Sequence, residues 1–435
     1  MKLLKFWTIF LLLISVAAEA NTHIVVLKSP LVHREAVPAN RFERYKLVRK
    51  IIDERQAQAL VPFVRGLGSL KNTATFLPII NAVALTLTEQ EAATLARHPE
   101  VRKIIPNRQI YIDMPRPQIV QPQRGNPSLN DALVLHQVDK LIAEGVDIHR
   151  PGKIVGIIDT GIDGSHPEFQ GKISAFKTFP QGSTQPADFG SHGTHVAGII
   201  AAGSKSGVQI GVYPGAKLAV AGHPMQVSNI ALAVHAFQWM LDPDGNPNTP
   251  DHAFVINNSW GWLKSHNVDP EPFFEVFKTL RDADILVLFA AGNEGSSGMR
   301  QPSQFPTTFT SAAVDKDGVI ASFSSWGPHI FQGKPVNKPE VASMGVKVHS
   351  TLPKGQYGAM SGTSMASPFT AGAVALLGSQ FPELSPYVIA DALVQTAQQP
   401  GQGPWDRKYG YGLLNVYGAY QKLKTRFRPV APFRH

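Results

Sequence analysis

Four short apolar runs, Lys153 to Ile158, Lys217 to Ala221, Phe254 to Asn257 and Ile285 to Ala290, limit what this chain can fold into. Each has the length of a strand and shows no alternation that would leave one side in water, so each belongs in a sheet covered on both faces. Between them, Ile230 to Leu241 and Pro272 to Arg281 carry apolar residues at helical spacing. Strands alternating with helices imply parallel pairing through crossovers, and the fold class predicted is α/β, with a doubly wound, mostly parallel sheet. Two more helices are expected at Ser364 to Phe381 and Pro386 to Gln395.

The rest of the 435 residues divides around this body. In residues 21 to 112, His23 to Leu27, Ala82 to Leu87 and Val101 to Ile105 read as strands and Glu89 to Arg97 as a helix, a small α+β unit. Residues 113 to 129 hold Pro115, Pro117, Pro122 and Arg124-Gly125; with little to bury, they read as an exposed linker. The main unit is expected at 130 to 420 and a loosely held basic tail at 421 to 435. At the start, Lys2, Lys5, the apolar run Phe6 to Val16 and Ala18-Glu19-Ala20 have the layout of a signal peptide over residues 1 to 20. That run is shorter than the ~20 residues of a membrane span. Export is therefore expected, to the periplasm or outside the cell, with no stable membrane anchor after signal removal. The chain has no cysteine, so packing or bound ions must hold it in place of disulfides.

The net charge of +9 suggests a nucleic-acid partner only until it is divided along the chain. Residues 21 to 112 carry 14 basic and 7 acidic side chains, and residues 421 to 435 carry a charge of +5. Residues 113 to 420 carry 20 basic and 24 acidic side chains, the wrong sign for nucleic acid, which is not an expected partner. A basic leader before an acidic body suits two pieces that dock, although chance drift of surface charge produces the same count.

Three segments place reactive side chains where a strand ends or a helix begins, the positions that line the cleft of such a sheet. Val155 to Gly161 brings Asp159 to the end of an apolar strand. A carboxylate there can hold an imidazole in one tautomer, although a lone Asp is better read as a helix cap or turn residue. Ser191 to Gly198 holds His192 and His195, with a buried helix expected from Val196; without a Glu-x-x-His arrangement the pair does not imply zinc, and no metal ligand is assigned. Met360 to Pro368 sets Ser364 at a helix N-terminus, where the dipole favours an oxyanion and where a capping serine is also common.

Taken together, in the order Asp, His, Ser over roughly residues 150 to 420, these segments resemble those of the subtilisin family of serine peptidases (subtilases, peptidase S8). The resemblance implies a subtilisin-like sheet with Asp159 as orienting acid, His192 as general base, Ser364 as nucleophile and His195 as a non-catalytic second histidine. Val287 to Gly295 resembles the segment whose asparagine donates to the oxyanion, which assigns Asn293 that role. Asn257 to Gly261 resembles the strand that pairs with extended substrate; Ser259, Trp260 and Gly261 then line one wall of the primary pocket, and Ala290, Ala291 and Gly292 the other. Trp260 and Trp262 are read equally well as packing residues.

The implied reaction is endopeptidase hydrolysis of protein or peptide substrates through an acyl-enzyme, with no cofactor required for the chemistry. Ile80 to Leu87 and His98 to Val101 resemble the family's inhibitory propeptide. Residues 21 to 112 are then an intramolecular inhibitor and folding aid of a monomeric, self-processing zymogen, cut between Ile112 and Leu129. The loop 202 to 211, which often wraps structural calcium in the family, here carries Lys205. An ion pair of Lys205 with Glu168 is expected there instead, and a calcium site elsewhere stays open. An α/β-hydrolase is disfavoured because Gly362-Thr363-Ser364-Met365-Ala366 lacks the second glycine of the serine elbow and follows both partners. A silent scaffold is disfavoured because Asp159, His192, Ser364 and Asn293 are all present.

Overall fold

The computed structural model describes residues 21–28, 38, 40–110, 130–179, 182–223, 228–327, 329–400 and 403–427; the expected signal segment and the linker with its maturation site lie outside them. The leader contains β1 (Asn21–Leu27), α1 (Arg41–Arg55), β2 (Thr75–Leu77), β3 (Ala82–Leu87), α2 (Glu89–Leu95) and β4 (Val101–Pro106). Its strands form a four-stranded antiparallel sheet in the order β2-β3-β1-β4. Helix α2 begins with a capping box between Thr88 and Glu91, while Asn40 caps α1 by accepting from Phe42 N and Glu43 N.

The body is built on β5 (Ile154–Asp159), β6 (Ile173–Thr178), α3 (His192–Ala201), β7 (Lys217–Gly222), α4 (Ile230–Trp239), β8 (Val255–Asn258), α5 (Glu271–Asp282), β9 (Leu286–Ala290), β10 (Phe309–Val314) and β11 (Val341–Met344). The seven strands pair in the order β11-β10-β9-β8-β5-β7-β6, and every pairing is parallel. A hairpin, Val348–Leu352 with Gln356–Met360, leads into α6 (Thr363–Gln380), followed by α7 (Pro386–Thr396) and α8 (Val416–Arg426). All of α6 is buried, as a helix apolar on every side must be. The predicted α/β class, the doubly wound sheet and the small α+β unit are all present.

Strand β5 sits between β7 and β8, where the winding of the sheet reverses, so its carboxyl end opens on the crevice. One face of the sheet packs on α3 and α6; the other packs on α4 and α5, whose Ile230, Phe237, Phe273 and Phe277 share a core with Ile24, Ile79, Ile80 and Ile110 of the leader. The leader thus covers the α4/α5 face by apolar burial, each large side chain contributing about 1.5–3 kcal/mol.

Charge adds direction. Arg41 and Arg44 pair with Asp284, Arg49 with Asp242, Arg102 with Glu271, and Lys103 with Asp269 and Glu271. In each of these the cation is on the leader and the anion on the body, so the uneven charge along the chain is a docking pattern. The basic tail is corrected in part: residues 421–426 complete α8, where Lys424 pairs with Glu144, because Tyr420 and Leu423 continue a buried helical face. Among the described residues no helix is long and apolar enough to cross a membrane.

Candidate active site

Strand β5 ends in Asp159, which is fully buried and accepts from Thr160 N at 2.7 Å. His192 Nδ1 lies 2.8 Å from Asp159 Oδ1 and 3.0 Å from Oδ2. A carboxylate only accepts, so the imidazole proton is on Nδ1 and Nε2 presents its lone pair. That Nε2 is buried and has no hydrogen-bond partner. Burial alone would lower the pKa of His192, but the charge and hydrogen bond of Asp159, with Asp188 farther off, outweigh it and raise the value.

His192 is the first residue of α3, which begins four residues before the start expected from its apolar run. The cause is Asp188, missed in the sequence. Its Oδ2 accepts from Thr194 N at 2.8 Å and from the Thr194 hydroxyl, and its Oδ1 accepts from Thr160 Oγ1 at 2.6 Å and Ser191 N at 2.9 Å. Thr160 Oγ1 in turn accepts from Gly193 N at 2.8 Å. Strand end and helix start are tied together here, so closely that a Cβ at Gly193 would lie 2.1 Å from Gly161 O.

Ser364 lies in the first turn of α6 and is held reciprocally by Ser259. Ser364 Oγ donates to Ser259 O at 3.1 Å, and Ser259 Oγ donates to Ser364 O at 2.9 Å. Asn257 steadies this clamp, donating to Ser259 Oγ at 3.0 Å and accepting from Ser367 Oγ at 2.6 Å. In this structure the Ser364 hydroxyl therefore points to Ser259 O, while Asp159 and His192 are already bonded. Asn293 Oδ1 accepts from Thr363 N at 2.9 Å and Thr363 Oγ1 at 3.0 Å. Since only the carbonyl side of the amide can accept, its NH₂ faces away from Thr363.

The other candidates divide. His195 is buried with Nε2 on Gly358 O at 3.2 Å, and burial first, then the nearby His192, push it down to about 3; it is a neutral structural residue. The indole of Trp260 is directed into the core against Phe237, Phe273 and Phe289 and donates to Ile158 O at 3.0 Å. This corrects its expected side-chain role as a pocket wall, because successive side chains of an extended segment face opposite ways. Trp262 is likewise fully buried. A pairing edge that sequence reasoning missed lies before α4. Gln109 forms an antiparallel bridge with Asn229, Ile110 N donates to Ser228 O at 2.8 Å, and Ile230 N donates to Arg108 O at 3.2 Å.

The 202–211 loop does not fit calcium, and the expected ion pair there is corrected. Glu168 accepts from the backbone N–H groups of Gly203 and Lys205 at 2.7 and 2.8 Å, while the Lys205 ammonium donates to Pro167 O at 2.6 Å. Gln209 Nε2 donates to Ala202 O and Gly211 O at 3.0 and 2.9 Å. The oxygens that would ligate a cation already accept from the chain's own N–H groups. Elsewhere among the described residues, Asp242, Asp244 and Asp251 form an acidic cluster.

Residues 150–412 match the subtilase family and residues 22–113 match the peptidase inhibitor I9 family. The chain belongs to the subtilase family. Its leader is an I9-type inhibitor domain. It is 37% identical over 283 residues to subtilisin E of Bacillus subtilis (strain 168), covering 61% of this chain and 65% of that protein. Thermostable alkaline protease of Halalkalibacterium halodurans is 30% identical over 351 residues, 79% of this chain and 84% of that one. Bacillopeptidase F of B. subtilis is 29% identical over 374 residues, where the match takes 78% of this chain but only 26% of the relative. The chain thus spans about a quarter of bacillopeptidase F and just under two thirds of subtilisin E. Fervidolysin from Fervidobacterium pennivorans shares the fold, with a TM-score of 0.67 at 24% identity over 92% of this chain and 61% of that one.

Proposed function

We propose that this subtilase is an exported, monomeric serine endopeptidase made as a self-processing zymogen. The observation that carries the reading is the imidazole of His192, fixed by Asp159 with its Nε2 lone pair buried and unpartnered. The reaction requires the Ser364 hydroxyl to exchange Ser259 O for that nitrogen, a bond that commonly forms or tightens only when substrate is bound.

Ser364 Oγ then attacks the peptide carbonyl carbon while His192 Nε2 takes the hydroxyl proton, and Asp159 stabilises the imidazolium. The oxyanion accepts from the Asn293 amide and from Ser364 N at the start of α6. Collapse of the intermediate breaks the C–N bond, His192 returns the proton to the leaving amine, and water hydrolyses the acyl-enzyme. No cofactor enters the chemistry.

Protein or peptide substrates bind extended along Asn257 to Gly261, with Ser259, the Trp260 backbone and Gly261 facing Ala290, Ala291 and Gly292. The leader segment Arg108 to Ile110, bonded to Ser228 to Ile230, keeps the enzyme inhibited until the leader is cut away in the 113–129 linker. A serine-directed fluorophosphonate is expected to label the matured protein at Ser364, and Ser364→Ala to abolish labelling, casein clearing and self-processing together. Label on another serine refutes the assignment.

A further inference from the structure

We infer that Asp242, Asp244 and Asp251 form a site for a calcium-type divalent cation, and that Arg49 of the leader holds this site in the precursor. One carboxylate oxygen from each of the three lies within 4.8 Å of the other two. Calcium takes its oxygens at about 2.3–2.6 Å, so oxygens on one ion stand no more than about 5 Å apart, and the cluster already has that spacing. Neutral donors set it up. Asp251 Oδ2 accepts from Asp244 N at 2.8 Å, which closes the loop, while Asp244 Oδ1 accepts from Asn246 N at 2.8 Å and the Thr249 hydroxyl lies 3.0 and 2.8 Å from its two oxygens. Such bonds position the carboxylates without cancelling their charge.

Buried polar atoms that bond to nothing face the same point. The Asp242 side chain is only 3% exposed, yet its Oδ1 makes no hydrogen bond, and neither does the buried Asp251 Oδ1. Tyr45, fully buried on α1 one turn before Arg49, stacks its ring on His252, next to Asp251, at 4.3 Å. Its hydroxyl is also without a hydrogen-bond partner and lies within reach of the charges of Asp242 and Asp251. Buried charges are stable when they are paired or coordinate a metal. Among the described residues the pairing here is one guanidinium, Arg49 Nη2 at 2.9 Å from Asp242 Oδ2, and that nitrogen is shared with Asp53 of the leader at 3.2 Å. Once the leader leaves, Arg49 goes with it, and a divalent cation brings the two charges and the several oxygen contacts that the carboxylates call for. A cavity of about 920 Å³ beside β6 opens on all three aspartates and gives a hydrated ion its way in.

Cation and leader thus contend for Asp242, and each weakens the binding of the other by the same factor. The test is calorimetric titration of calcium chloride into the chelator-treated Ser364→Ala precursor, which keeps its leader whatever the role of Ser364. Arg49→Gln in that chain is expected to tighten calcium binding at least tenfold, and the further change Asp244→Asn, at an exposed position, to loosen it at least tenfold again. Arg41→Ala, which weakens the leader at Asp284 instead, is expected to alter the affinity less than threefold. Without any substitution at the site, matured wild type is expected to bind calcium at least tenfold more tightly than the Ser364→Ala precursor, which decides the matter if the other variants do not fold. An Arg49→Gln chain that binds no calcium, binding that Asp244→Asn leaves unchanged, tightening by Arg41→Ala equal to that by Arg49→Gln, or equal binding before and after maturation overturns the inference.

Discussion

Truncating Arg41 tests whether the leader inhibits by charge as well as by apolar contact. Its Nε donates to Asp284 Oδ2 at 2.5 Å and its guanidinium lies 4.5 Å over the Phe254 ring. The Asp284 side chain is only 1% exposed, so in the docked state Arg41→Ala leaves a buried carboxylate with Arg44 at 3.5 Å and Ser385 Oγ at 2.5 Å as its remaining partners. Removing one member of a buried, hydrogen-bonded charge pair costs about 2–5 kcal/mol. The residual partners place this case at the low end, about 2–3 kcal/mol, or about 30- to 150-fold in the inhibition constant. The assay is inhibition of matured enzyme by added leader, wild type against Arg41→Ala, repeated on Asp284→Ala enzyme to close a double-mutant cycle. An inhibition constant for Arg41→Ala within about threefold of wild type, or a coupling below about 0.5 kcal/mol in the cycle, would refute the reasoning and leave apolar burial as the sole source of affinity.

Asp188→Asn removes an anion that helps raise the pKa of His192, so the acid limb of kcat/KM, where activity is lost as Nε2 is protonated, is expected to move to lower pH; an unmoved limb excludes the coupling. His136 is buried, bonded through Nδ1 to Leu414 O at 2.8 Å and through Nε2 to Met344 N at 2.9 Å, and burial pushes it down to about 4. The unfolded chain takes up that proton first, so stability present above pH 6.5 is lost as pH falls toward 4, by about 3 kcal/mol. Denaturation midpoints of His136→Gln should show a flatter acid slope than wild type. Glu340→Ala strips the buried Lys338 ammonium of its carboxylate at 2.6 Å and is expected to cost about 3–5 kcal/mol in urea unfolding, while Lys338→Met with Glu340→Leu costs far less. Asn293→Ala is expected to lower kcat about 10²- to 10³-fold with little change in KM, a range set by the equivalent loss in another member of this family.

The site was legible where its chemistry is local. Asp159, His192, Ser364 and Asn293 each sit in a run of a few residues whose apolar neighbours announce a strand end or a helix start, and the sheet then gathers those ends. What joins them was not legible, because it is made of hydrogen bonds between distant positions. Asp188 reaches Thr160 and Thr194, and Ser259 reaches Ser364, and nothing in the local composition distinguishes them from ordinary turn residues. Helix α1 escaped notice because only Tyr45, Val48 and Ile52 are buried on it among many charged residues, a stripe too thin to stand out. Trp260 was ambiguous because an indole suits a pocket and a core alike, and only the direction of the extended segment decides.

The lysines around α3 show how a chain without cysteine, whose 202–211 loop does not fit calcium, can hold its histidine helix in place. Lys205 donates to Pro167 O at 2.6 Å, Lys172 donates to Ala201 O, and Lys217 donates to Gly171 O at 2.6 Å. Each ammonium carries one charge and up to about three donors, and here meets the kind of backbone oxygen that a calcium ion would gather. The two differ in how they depend on surroundings: a bound ion is lost to dilution or a chelator, whereas a tethered ammonium has an effective concentration set by its own stem. Glu168 completes the arrangement from the opposite sign, accepting Gly203 N and Lys205 N and the Tyr357 hydroxyl at 3.2 Å, so that the loop closes on a carboxylate and a cation supplied by the chain itself. The loop follows directly on α3, whose first residue is His192, so this closure made by the chain's own groups lies one short helix away from the His192 imidazole.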